Sequence, residues 1–371
     1  MTRIFNGRRR QTGISKAFRG ALLTLSIAVA PAARAQTSVT DLTLPAIAVR
    51  TPGRDFVDGL AMAGNRIVIA GQHGLIAYSD DDGQTWHQAK VPVDVLLTAV
   101  AFANAKDGWA VGHMGVILHT ADGGETWQTQ IDGRQVDDLE VAAAQVADPA
   151  LPTAALASRR AEVFKNMGPD RPFLAVLAQS PQQAIVVGSY RMAMRTVDGG
   201  KTWEDISLNV LDPLSHNLYG ITEIGHSIFI GAETGIVFCS TDDGRSFPQL
   251  TLTGNATLFG VLPTADGSVF AYGVAGTAYL SHDQGKTWES INVGTNSDIT
   301  AALLLKSGVI VLASETGSLF DSYNNGQSFQ LFPQSIPMLL TNLVQMSNGD
   351  VVVTGSSGVR VLPESDFKKP Q

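Results

Sequence analysis

A few side chains are candidates for chemistry by type and spacing. His73 and His113 fall at matching positions in consecutive copies of a short glycine-flanked loop. Two imidazoles can ligate a metal, but a zinc site normally takes three or four protein ligands, and the chain has no H-x-x-x-H or C-x-x-C cluster. The pair therefore reads as two polar loop-tip residues, with no metal or cofactor implied. Glu233 and Glu315, in later copies of the loop, are of the type that glycoside hydrolysis uses as acid and base. That reaction needs carboxylates about 5–9.5 Å apart, and these lie two repeats apart. Tyr190 and Arg191 occupy a further copy. Arg159-Arg160 and Arg171 form a basic patch on an otherwise acidic chain, either a solvated helix face or a contact for an acidic partner. Cys239 is the single cysteine, so no internal disulfide forms, and it reads as a buried strand residue. The nucleophile-elbow, metalloprotease, phosphate-loop and dinucleotide fingerprints are absent, and the chain reads as non-enzymatic.

The elements that must position these residues are repeats. The pattern [ST]-x-[DN]-x-G-x-[ST]-[WF] recurs from Ser79, Thr120, Thr196, Ser240, Ser281 and Ser322. Its acidic or amide position is Asp81, Asp122, Asp198, Asp242, Asp283 and Asn324, and it closes on Trp86, Trp127, Trp203, Phe247, Trp288 and Phe329. Asp or Asn can hydrogen-bond nearby backbone N–H groups and hold a turn. Glycine supplies φ > 0, and the aromatic starts the next strand with a large apolar area to bury. The pattern resembles the Asp box, or BNR repeat, of sialidases and related propellers, where it is a structural turn remote from the active site.

Box-to-box spacings are 41, 76, 44, 41 and 41 residues. A unit of about 40 residues is one four-stranded propeller blade. A Gly-x-x-Gly type loop recurs seven times, at 71–74, 112–115, 188–191, 232–235, 273–276, 314–317 and 355–358, and the third copy lacks its second glycine. The expected fold is therefore an all-β, seven-bladed β-propeller with Asp-box turns over residues 36–371. The seventh blade has three strands, and Leu42–Arg50 is expected to supply its missing outer strand and close the ring. The double-length gap is an insertion over 132–172 between blades 2 and 3. Its Ala-rich runs predict helices over Val136–Ala147 and Thr153–Met167, broken at Asp148-Pro149, with Leu139, Ala142, Ala143 and Val146 on the apolar face of the first. Strand order places the glycine loops, the inter-blade connections and the insertion on one face, and the boxes on the other.

The first 35 residues have a basic head, an apolar run from Ala21 to Ala30 and an A-x-A site at Ala33-Arg34-Ala35. This is the form of a secretory signal peptide cleaved after Ala35, too short to span a membrane. Its removal takes away seven basic and no acidic residues, leaving 19 against 34 and a net charge of −15. Such a charge argues against nucleic acid and anionic membrane surfaces as partners. The mature chain is expected to be periplasmic or exported, with no membrane span.

With signal, boxes and insertion together, the chain resembles the photosystem II assembly/stability factor family, and more closely its relatives in non-photosynthetic bacteria. The run Val111–Thr120 into the second box and the run Gly168–Leu174 into the third blade carry the resemblance, which extends over essentially the whole mature chain. It implies a seven-bladed propeller without known catalysis, serving as an assembly or stability factor for a membrane protein complex. Photosynthetic members carry a basic patch that contacts photosystem components; this chain has few arginines in its loops. Bacterial relatives accompany transporters of the resistance-nodulation-division type, which implies an envelope partner held by protein–protein contacts. The partner-binding candidates are His73, His113, Tyr190, Arg191, Glu233, Glu315, Arg159 and Arg160. The competing reading is a glycan-binding or sialidase-like, glycan-cleaving propeller, which an aromatic groove on the loop face would favour.

Overall fold

The second strand of each repeat is an unbroken apolar run, such as Ile67-Val68-Ile69-Ala70 or Val351-Val352-Val353, and it is buried on both faces. Such a run needs a layer on either side, and a radial stack of sheets supplies both. A computed structural model describes residues 42–150 and 153–368. The signal peptide expected over 1–35 and its cleavage point after Ala35 lie outside the described residues.

Within these limits the chain forms six four-stranded sheets and one three-stranded sheet, arranged as a seven-bladed propeller. The first blade runs β1 (Val57–Ala63), β2 (Arg66–Gly71), β3 (Ile76–Ser79) and β4 (His87–Gln88), each antiparallel to its neighbour. Successive inner strands pack around the axis, and seven apolar clusters fill the spaces between and within the blades. Each inner strand skips register after its first residue, as between Val57 and Gly59, Leu97 and Ala99, and Leu218 and Gly220. These are β-bulges, which re-aim the extra side chain.

The box turns share one network. In the second, Thr126 N–H and its hydroxyl donate to the two oxygens of Asp122 at 3.0 and 2.6 Å. Gly124 N–H donates to Thr120 Oγ1 at 3.1 Å, and Trp127 Nε1 donates to Gly124 O at 3.0 Å. Gly124 has φ +89°, where a side chain would be strained. Hydrogen bonds from the Thr85 and Thr287 hydroxyls and backbones draw the Asp81 and Asp283 carboxyls down to about 2; for Asp198 the Thr202 backbone leads. Asn324 in the last box reverses one bond, donating from Nδ2 to Ser328 Oγ.

Ring closure differs from expectation. Among the described residues Leu42–Arg50 adds no strand to the seventh blade, although Val49 packs on the seam cluster that contains Met346 and Val352. Ala46 N–H donates to Val91 O at 3.0 Å, Ile47 N–H to His73 O at 3.2 Å, and the Gln88 amide bridges Val49 N–H and Ile47 O. The segment thus lies along blade 1, donating to the His73 and Val91 carbonyls. The seam closes as the other blade contacts do, by packing: Met346 and Val352 meet Leu60, Ile67 and Ile69, and Thr341 Oγ1 donates to Val57 O at 2.6 Å. The 3-10 turn Pro52–Arg54 lies against Gly358, where a Cβ would come 2.1 Å from Gly53 O.

The insertion folds as α1 (Gly133–Gln145) and, after a 3-10 turn, α2 (Ala157–Met167). Asp132 and Gln135 form a capping box at the start of α1. The predicted apolar face of α1 is displaced. Ala142 is exposed and Val146 is 84% exposed, whereas Val136, Asp137 and Glu140 are buried. The reason is a buried partner: Arg171 returns under the helix and draws the two carboxylates inward.

Candidate functional site

Glycine loops and inter-blade connections meet on one face through backbone bonds such as Gly74 N–H to Val95 O and Gly235 N–H to Ala256 O. The last loop glycine is required there, because a Cβ on Gly74 would lie 1.9 Å from Val93 O. Two loop residues in succession take φ > 0 in the first five blades, the first being His73, Met114, Tyr190, Thr234 and Ala275. The matching position of His73 is therefore Met114, and His113 matches Gln72. The two histidines are offset by one residue, which corrects their equivalence. His73 Nδ1 instead meets Asp94 Oδ1 at 3.0 Å. Partial burial pushes the His113 imidazole below its ordinary range, Asp170 opposing. Among the described residues no group of three or more His, Cys, Asp or Glu is placed to hold a metal ion.

Glu233 and Glu315 are tied to the inter-blade connections that lead into their blades. Glu233 accepts from Asn217 N–H at 2.9 Å and from Asn217 Nδ2 at 3.1 Å; Glu315 accepts from Asp298 N–H at 3.3 Å. Each holds an inter-blade connection in place.

Blade 3 departs from the others. Arg191 stands where other loops have glycine, at φ +63°, and is buried. Its Nη1 donates to Asp212 O at 2.8 Å, and burial first, then Arg160, pushes its guanidinium down to about 10. The following connection is correspondingly rearranged: Asp212 accepts from Leu214 N–H and His216 N–H, and Thr153 of the insertion donates to Leu208 O. Tyr190 is half exposed and packs on Phe164 of α2, ring centroids 5.4 Å apart.

The basic patch is smaller than the sequence suggests. Arg171 is 4% exposed. It donates to Asp137 at 2.6 Å and to Glu140 at 2.7 and 3.0 Å, with Phe164 stacked 4.3 Å from its guanidinium. Arg160 is half-buried beside the same ring, so Arg159 alone of the three is fully outward. On α2 the small Ala157 and Ala161 face inward, while Val163 and Met167, with Leu156 of the 3-10 turn just before, face solvent at 49%, 60% and 57% exposure.

The inner-strand bulges build a feature that the box and loop repeats do not announce. The skipped residues are Asp58, Thr98, Leu174 and Tyr219 in the first four blades and Phe259, Thr300 and Thr341 in the rest. All line an axial channel of about 540 Å³ at the loop-face end of the inner strands. A sequence signal exists: each follows a large apolar residue and, except in the last blade, precedes Gly or Ala, as in Leu218-Tyr219-Gly220 and Leu97-Thr98-Ala99.

The family model described as photosynthesis system II assembly factor YCF48 matches residues 85–147 and 165–354. The chain belongs to this family. A BNR/Asp-box repeat model also matches residues 77–88. The photosystem II assembly lipoprotein Ycf48 of Synechococcus sp. (strain CC9902) is 35% identical over 79 residues, 21% of this chain and 24% of that protein. The chloroplastic photosystem II stability/assembly factor HCF136 of Cyanidioschyzon merolae (strain NIES-3377 / 10D) is 37% identical over 60 residues, 16% of this chain and 13% of that protein. The matched stretch thus spans a quarter or less of these curated relatives. In fold, the chain resembles a YCF48 bound to D1 peptide (TM-score 0.63, 18% identity, covering 86% of this chain and 98% of the other). It also resembles YCF48 from Cyanidioschyzon merolae (TM-score 0.61, 14% identity, 85% and 97%) and the WD40 propeller domain of Doa1 (0.60, 14%, 89% and 99%). Five of the six boxes and α1 lie within the matched residues, whereas most of the first box and residues 148–164, with most of α2, lie outside them. Among the described residues no helix is long and apolar enough to cross a membrane.

Proposed function

We propose that this chain is an exported, non-catalytic assembly or stability factor that docks on a membrane protein complex of the envelope through its loop face. The observation that carries this reading is the outer surface of α2. Leu156, Val163 and Met167 recur at helical spacing and stand in solvent at the start and along the length of α2, in the insertion that departs from the repeat. Large apolar side chains held outward on a pinned hairpin mark an interaction site. Arg159 and Tyr190 flank them, and both belong to the contact. Family membership supports the assembly role, and the neighbour bound to a D1 peptide supports a protein segment as the class of ligand. The partner proposed is a transporter complex of the resistance-nodulation-division type.

The test is recovery of envelope proteins by a tagged chain carrying Leu156→Ser, Val163→Ser and Met167→Ser. These side chains are outside the core, so melting should be unchanged while partner recovery falls. Full recovery would refute the α2 surface. Arg159→Glu should weaken recovery more at low than at high salt. Export rests on residues 1–35: N-terminal sequencing of the envelope-fraction protein should begin at Gln36, and an intact Met1 would refute it.

A further inference from the structure

We propose that the axial channel is a binding site for a small organic cation, an ammonium or guanidinium group carried on an apolar or aromatic body. Among the described residues that line the channel, Asp58 is the one charged side chain. The equivalent bulge residues of other blades have their polar groups occupied. Thr98 Oγ1 donates to Phe173 O of the next blade at 2.7 Å, Thr341 Oγ1 to Val57 O across the seam at 2.6 Å, and Thr300 Oγ1 to Ala313 O at 3.2 Å. A carboxylate at the same position has no proton to donate to a neighbouring carbonyl. No hydrogen bond or opposite charge from the described residues offsets the burial of Asp58, which by itself raises the carboxyl to about 6. Asp58 is part-buried, and a partly desolvated carboxylate with no counter-charge on the channel wall favours a cation there.

The rest of the channel says what the cation should be attached to. In a ring of seven blades, blades 4 and 5 stand across the axis from blade 1. Their bulge residues are Tyr219 and Phe259, packed edge to face with ring centroids 5.5 Å apart. Phe56 lines the channel next to Asp58. A carboxylate on one wall and aromatic rings on the other fit an amphipathic cation, by charge-assisted hydrogen bonding at one end and ring contact at the other. The volume of about 540 Å³ lies in the usual range for small-molecule sites.

A free arylalkylamine and a lysine or arginine side chain of a docking protein present the same group, and the experiment separates them. Titration calorimetry of the full chain would use phenethylamine, agmatine, phenylacetate and an acetylated, amidated Gly-Lys-Gly peptide as probes. Phenethylamine should bind, phenylacetate should not, and Asp58→Asn should weaken the amine by about tenfold or more, as for loss of one charge-assisted bond. Phe259→Leu should weaken phenethylamine more than agmatine. Tighter binding of the peptide than of the free amines would assign the site to a partner's side chain; the reverse order would assign it to a metabolite. Absence of binding by every cation, equal binding of phenylacetate, or unchanged affinity in a folded Asp58→Asn variant would each overturn the proposal.

Discussion

Asp58→Asn should stabilise the propeller at neutral pH and do so less in acid. In the folded chain burial raises the Asp58 carboxyl from 3.8 to about 6. A group with a raised folded pKa favours folding only while protonated. Its penalty is absent below the unfolded value, grows between 3.8 and about 6, and is constant above that. Two units correspond to about 3 kcal/mol at pH 7.5, and access of channel water reduces this to about 1–3 kcal/mol. Asparagine is nearly isosteric and carries no charge to desolvate, so the variant removes the penalty. Urea denaturation at pH 4.5 and pH 7.5, for both proteins, measures it. The difference between variant and parent should be larger at pH 7.5 by about 1–2 kcal/mol. The box carboxylates do not confuse the comparison, because Asp81, Asp198 and Asp283 stay ionised down to about 2. A pH-independent difference, or a variant less stable than the parent at pH 7.5 alone, would refute the claim of an uncompensated carboxylate. The same measurement shows that the variant is folded, which the amine titration requires.

Other consequences can be checked with equal directness. Asp137→Asn combined with Glu140→Gln leaves the buried Arg171 guanidinium without a counter-charge and should cost about 3–5 kcal/mol in urea denaturation, with Arg171→Met restoring most of the loss; a neutral double variant would mean the network carries no stability. Trp203→Ala removes a side chain packed with Trp109 and Val136 and should cost about 3–5 kcal/mol by the same assay. Replacing Asp81, Asp198 and Asp283 by Asn should flatten the loss of stability between pH 4 and pH 2, since a depressed carboxyl contributes stability above its unfolded pKa and loses it as pH falls through the folded value; an unaltered acid limb would contradict the hydrogen-bonding seen in the boxes. Deleting 42–50 should speed hydrogen exchange around His73–Val95 and leave exchange at Gly358–Leu362 unchanged, and faster exchange at the latter would return the segment to the seventh blade.

The architecture was legible in the chain because its determinants are short-range. A box carboxylate reaches a backbone N–H four residues on, as Asp122 does to Thr126, so the turn, its glycine and its closing aromatic are written in one octapeptide. Counting boxes and glycine loops therefore gives seven blades, and the doubled spacing marks the insertion. The features that follow from through-space pairing were not legible. Arg171 meets Asp137 from 34 residues away, and only that contact explains why α1 buries two acids and exposes Val146. The same ion pairs take Arg171 out of the apparent basic patch. The placement of Leu42–Arg50 rests on contacts with His73, Gln88 and Val91, between 26 and 45 residues away in the chain, which the segment's own sequence does not reveal. The offset of His73 from His113, by contrast, is already in the sequence, third place in 71–74 against second in 112–115, and the left-handed backbone at His73 and Met114 agrees with it. The axial channel lies between the two cases. Its seven residues carry a local signature, a large apolar residue before and usually a small one after. Yet that a bulge turns them all toward one axis, and sets Asp58 across from Tyr219 and Phe259, is decided only when seven sheets close into a ring.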